Sequence, residues 1–179
     1  MDCLNGYIGM SSKTYIESTD PDFVHSGLFV DALPDISLNL ISKLTDSEDN
    51  DLNDLWSMIE KRAILKFRTF FINAINQCYK INKVDICECI ICENVTLLST
   101  SLWYLMGAEV MFERYSSSRL NRFTTIDKPK AKELRDEFMD IFNRELAVAV
   151  AGIDIVESLC TPDEGVPCNN FLSVHYTIM

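Results

Sequence analysis

From Leu52 to Cys78 the chain sets Leu52, Leu55, Trp56, Ile59, Ala63, Phe67, Phe70, Phe71, Ala74, Ile75 and Cys78 at steps of three and four. That repeat is one face of a single helix. At about 1.5 Å per residue it runs roughly 40 Å. A chain of 179 residues buries enough surface for one sizeable core but hardly for two. A rod of that length therefore needs other long elements beside it. Asp49 or Asn50 is placed to cap it. Its polar side is basic, with Lys61, Arg62, Lys66 and Arg68 against Glu60.

Two partners are legible. Asn94 to Ser116 predicts a helix that is apolar nearly all round, through Leu97, Leu98, Leu102, Trp103, Leu105, Met106, Val110, Met111 and Phe112. Such a helix is enclosed on most sides. Gly107 weakens it by about 1 kcal/mol relative to alanine, which implies close packing against another backbone. Glu109 inside the run, with Asn94, Ser99, Thr100 and Ser101, favours a buried helix over a membrane span. A third helix follows Thr124–Asp127, with Asp127 as cap, Pro129 in the first turn and Gly152 as stop. Its apolar stripe is Ala131, Leu134, Phe138, Ile141, Phe142 and Ala149.

The remaining segments predict short elements. Leu28 to Leu33 reads as a strand between Gly27 and Pro34, and Ser37 to Lys43 as a short helix with Leu38, Ile41 and Leu44 apolar. Val84 to Cys92 is rich in β-branched residues and reads as a strand or hairpin arm. Residues 157–170 form a loop. Phe171 to Met179 alternates cleanly, so it predicts a C-terminal strand. The expected fold is α+β and helix-dominated: two to three long helices, an extended N-terminal arm and short strands. Residues 1–50 form the acidic arm and residues 51–179 the helical body of a single domain.

Charge is segregated along this layout. The net charge is −11. Residues 1–54 hold 11 acids against Lys13 and Lys43, whereas residues 55–179 hold 16 acids against 14 bases. This balance disfavours non-specific binding to DNA and docking on an anionic membrane. It suits a partner of opposite sign, or a solvated arm that aids solubility.

Seven cysteines (Cys3, Cys78, Cys87, Cys89, Cys92, Cys160 and Cys168) and an N-terminus without the pattern of a secretory leader predict free thiols in a reducing compartment. Cys87, Cys89 and Cys92 could ligate zinc if Cys160, Cys168 or His175 joined them. The intervening Glu88, Ile90 and Ile91 favour core packing instead. Catalysis has little support. His25 and His175 lie in no motif with a nucleophile, and no glycine-rich phosphate loop occurs. No metal, cofactor or small-molecule substrate is expected.

Between the second and third helices lies Arg114 to Arg122 (RYSSSRLNR), followed by Phe123. Its bland reading is a connection whose arginines pair with local carboxylates. The sharper one makes Arg114, Arg119, Arg122 and Phe123 interface residues, because arginine and aromatic side chains are enriched at protein interfaces. Single-stranded nucleic acid is a weaker option in a negative field.

At this loop the chain resembles a known group. Leu102 to Asp154, together with CLNGYIG at Cys3–Gly9 and SGLFVDALPDISL at Ser26–Leu38, is similar to virion structural proteins of crAss-like bacteriophages infecting Bacteroidetes. Asp35 stands where that pattern has glycine. The resemblance implies a non-enzymatic ring protein of the head–tail connector, assembled head-to-tail in multiple copies beneath the portal. Its partners would be its own copies, the portal protein and adjacent tail proteins. Genome DNA would pass through the channel without specific binding. Such a protein is made in the bacterial cytoplasm and resides in the virion. Two rivals remain at this point: a metal- or thiol-dependent protein using Cys87, Cys89 and Cys92, and a host-takeover protein binding through its acidic arm.

Overall fold

A computed structural model describes residues 2–10, 26–36, 52–79, 88–116 and 126–153. Helices dominate them: α1 (Leu52–Tyr79), α2 (Glu88–Glu93), α3 (Val95–Ser116) and α4 (Lys128–Ala151). The three long helices match the periodicity closely. The Asp127 side chain accepts the Lys130 N–H at 2.8 Å, and the Gly152 N–H closes the last turn on Ala149 and Val150. Pro129 sits in the first turn, where its missing N–H costs no hydrogen bond.

The long helices run up, down and up. Leu97 lies beside Gly152 and Phe138 beside Gly107, while Arg135 reaches Phe112, so α3 and α4 are antiparallel. Lys66 meets Glu109 and Arg62 meets Glu113, which sets α1 antiparallel to α3. Phe67 and Phe70 of α1 close on Phe142 of α4, with ring centroids 6.3 and 5.2 Å away. The central helix α3 is buried on most sides, as its composition predicts. It is long and apolar enough to cross a membrane, yet 56% of that stretch is buried inside the fold. The core helices of soluble proteins share that pattern.

Residues 2–10 and 26–36 form a layer over this bundle. The Gly9 N–H donates to Leu28 O and the Val30 N–H to Gly9 O, both at 2.9 Å, making a single parallel bridge between Gly9 and Phe29. The expected strand at Leu28–Leu33 is therefore not formed; past Phe29 the chain makes a 3-10 turn over Val30–Ala32. The cause is burial at every third residue. Val30, Leu33 and Ile36 all enter the core, which a strand's two-residue period cannot achieve. These segments share one core with the helices. Asp35 adopts φ 62°, the left-handed conformation that glycine favours, so the turn is made with aspartate in that place.

Two further expectations are corrected. Residues 88–92, expected as strand, belong to helix α2. Burial of the adjacent Ile90 and Ile91 and hydrogen bonds through Asn94 carry the chain almost straight into α3. Cys3 and Cys92 are joined in a disulfide rather than being free thiols. Folding brings the first turn of the chain onto α2 across 89 residues, a proximity that no spacing rule reveals. Closing so long a loop stabilises the fold by about 4–5 kcal/mol on chain-entropy grounds. Among the described residues no strand occurs. The Ser37–Lys43 helix, residues 84–87, the 157–170 loop and the Phe171–Met179 strand lie outside them.

Gly107 marks a close approach on α3. A Cβ there would lie 2.4 Å from Leu33 Cδ1, 3.4 Å from Phe138 and 3.5 Å from Ile36. The close neighbours are thus side chains of the N-terminal layer and α4. Gly107→Leu should overpack this junction and cost about 1–3 kcal/mol, read as a shift in the urea midpoint with an unchanged slope.

Candidate interaction surface

The basic side of α1 does two jobs. Toward α3 it neutralises Glu109, whose side chain is only 2% exposed. Arg62 donates through Nε to Glu109 Oε2 and through a terminal nitrogen to Glu113 at 3.2 Å; Lys66 Nζ reaches Glu109 Oε1 at 2.6 Å. The Phe112 ring lies under Arg62 and Lys66, 5.0 and 5.2 Å from its centroid, and Arg135 of α4 comes within 5.7 Å of it. Each such contact contributes about 0.5–1 kcal/mol at a partly exposed site. This cluster fixes the axial register of α1 on α3.

Away from the core, α1 presents Met58 and Leu65, 45% and 67% exposed, with Lys61 exposed between them. A second exposed apolar pair, Leu97 and Val148, flanks Gly152 at the start of α3 and the end of α4. Because α1 and α3 are antiparallel, the two spots lie toward opposite ends of the bundle. Glu109, level with Lys66, is 12 residues from Leu97, or roughly 18 Å along the axis.

Of the interface residues expected from sequence, Arg114 is buried and donates through Nε to Ile126 O at 2.9 Å. It ties the end of α3 to the start of α4, a positioning role inside the fold. Arg119, Arg122 and Phe123 lie outside the described residues. The Cys87, Cys89 and Cys92 trio loses one thiolate, since Cys92 is in the disulfide. Among the described residues no three metal-ligating side chains come together.

Beyond core packing, the contacts that fasten the N-terminal layer to the helices among the described residues include the disulfide, Trp103 Nε1 donating to Phe29 O at 2.8 Å, and the Gly6 N–H donating to Glu60 Oε1 at 2.7 Å. Sequence reasoning places Glu60 only as a counter-charge on α1. Its partner is a backbone amide of a distant segment, which carries no sequence signal. Burial pushes the Glu60 carboxyl up, against smaller lowering effects of the Gly6 amide and Lys61.

The two carboxylates give opposite expectations. Arg62→Met leaves the buried Glu109 carboxylate with one cation, and should cost about 3 kcal/mol. Glu109→Gln leaves two cations that can reach water, and should cost less, about 1.5–2 kcal/mol; equilibrium denaturation ranks the two. For Glu60, a raised folded pKa means the fold holds this proton more tightly than the unfolded chain. Its contribution is then fully present below the ordinary carboxylate range and is lost as pH rises through the raised value. Glu60→Gln keeps an acceptor for Gly6 and removes the buried charge. It should raise stability at neutral pH and lose that advantage in acid, as pH-dependent urea melts would show. In comparisons with family models, curated proteins and solved structures, the chain matches none.

Proposed function

We propose that this chain is a non-enzymatic structural subunit of a phage virion, which assembles head-to-tail into a ring of the head–tail connector beneath the portal. The observation that carries the reading is the pair of unlike apolar spots, Met58 with Leu65 and Leu97 with Val148, toward opposite ends of a helical bundle. A ring built by rotation needs two different surfaces on each subunit, one to give and one to receive. The segregated charge supports the same reading, because an acidic first third and a basic helix face on each copy favour unlike contacts over like ones. The resemblance of Leu102–Asp154 and the two N-terminal motifs to virion proteins of crAss-like phages points the same way. Portal and neighbouring tail proteins are the further partners, and an acidic channel lining would let DNA pass without sticking.

In this reading Arg119 and Arg122 anchor subunit contacts through charge-assisted bonds to neighbouring carboxylates. Arg122→Glu should weaken ring formation at least tenfold in concentration while leaving the thermal midpoint of the monomer unchanged. Light scattering and negative-stain imaging, with and without portal rings, read the assembly. Unchanged ring formation by the variant argues against that role. Absence of the chain from purified particles by mass spectrometry argues against the virion reading itself.

A further inference from the structure

Resting on the ring reading, we propose that Cys3 and Cys92 form a redox-operated fastener, open during assembly and closed in the released particle. A connector subunit is made in a reducing cytoplasm, where disulfides are rare, and ends outside the cell, where they persist. Both sulfurs stand on segments that packing and hydrogen bonds already hold. Cys3 precedes Leu4, and Leu4 and Ile8 are fully buried, with Tyr7 buried between them. Gly9 bonds to Leu28 O and the Val30 N–H, and the Gly6 N–H reaches Glu60. On the other side Cys92 follows the buried Ile90 and Ile91 in α2. Asn94 joins that turn to α3, bonding to Ile90 O and accepting the Leu98 N–H. Folding therefore sets the two thiols side by side before any bond joins them.

The pair is also within reach of small molecules. Cys3 and Cys92 are each part-exposed, whereas their neighbours Leu4 and Ile91 are buried. Accessible sulfurs exchange with small thiols and disulfides. Closing takes two exchanges. One cysteine thiolate attacks a low-molecular-weight disulfide of the glutathione class, forming a mixed disulfide and expelling one small thiol. The other cysteine thiolate attacks the protein sulfur of that mixed disulfide, forming the Cys3–Cys92 bond and expelling the second small thiol. The protein gives up two protons and two electrons, and one small disulfide becomes two thiols. Opening is the reverse, driven by excess small thiol. Because docking precedes the bond, both states share one fold. They differ in the unfolded chain, which the bond constrains across 89 residues. Open subunits can still unfold and exchange while a ring is built; after release the bond locks each N-terminal layer on its helices.

The test begins with bacteria producing the full-length chain, treated with N-ethylmaleimide before lysis. Cys3 and Cys92 should both carry the label. The purified chain, reduced and folded, is then given oxidised glutathione and mapped by mass spectrometry without reductant. Cys3 should be joined to Cys92, and the folding equilibrium read in urea should shift toward the folded state by about a thousandfold. Cys3→Ser should fold alike and show no such gain. Hydrogen exchange at the Gly9 and Val30 amides should stay protected whether the pair is open or closed. A pair already joined in the producing cells overturns the open stage. Cys3 still free after oxidation, or a Cys89–Cys92 bond in its place, overturns the fastener. Lost protection of Gly9 and Val30 on reduction overturns docking without the bond. The same trapping in infected cells and on purified particles reads the timing, and particles whose chains keep both thiols free overturn it. Particles lacking the chain overturn the ring reading alone, since trapping in producing cells and oxidation of the purified chain need no particle.

Discussion

The whole architecture turns on the missing side chain of Gly107. At that point α3 accepts Leu33 of the N-terminal layer at a distance a Cβ would forbid, with Ile36 of that layer and Phe138 of α4 in ordinary van der Waals range. Glycine within a helix costs about 1 kcal/mol. Here that cost is offset by the apolar surface of two elements sealed against one turn of α3, with Leu33, Ile36 and Phe138 all buried. A Cβ at this point would force the Leu33 side chain out of its place against α3.

The charge cluster on the other flank of α3 plays a complementary part. A buried carboxylate is tolerated only when cations and hydrogen bonds take over from water. Glu109 therefore selects the one register of α1 in which Arg62 and Lys66 both reach it. Hydrophobic contacts between Phe67, Phe70 and Phe142 tolerate small slips; a doubly paired carboxylate does not. Packing thus supplies adhesion between α1, α3 and α4, and the ion pairs supply alignment. With α1 fixed in rotation by its inward phenylalanines, Met58 and Leu65 have no direction left but outward.

What the sequence makes legible follows the range of the physics involved. The three long helices, the Asp127 cap and the Gly152 stop are set by residues within a few positions of one another, and all are formed. The basic face of α1 is legible too, but not that half of it turns inward to Glu109, because that depends on a helix more than forty residues away. The strand expected at Leu28–Leu33 fails for a similar reason. Local β propensity favours it, but the core asks for Val30, Leu33 and Ile36 together, and tertiary burial overrides propensity. The run at 88–92 yields to the same pressure. The Cys3–Cys92 disulfide and the Glu60–Gly6 bond join segments whose proximity exists only once the layer has docked. Of the expected interface residues only Arg114 falls among the described residues, and its guanidinium is used internally, on Ile126 O.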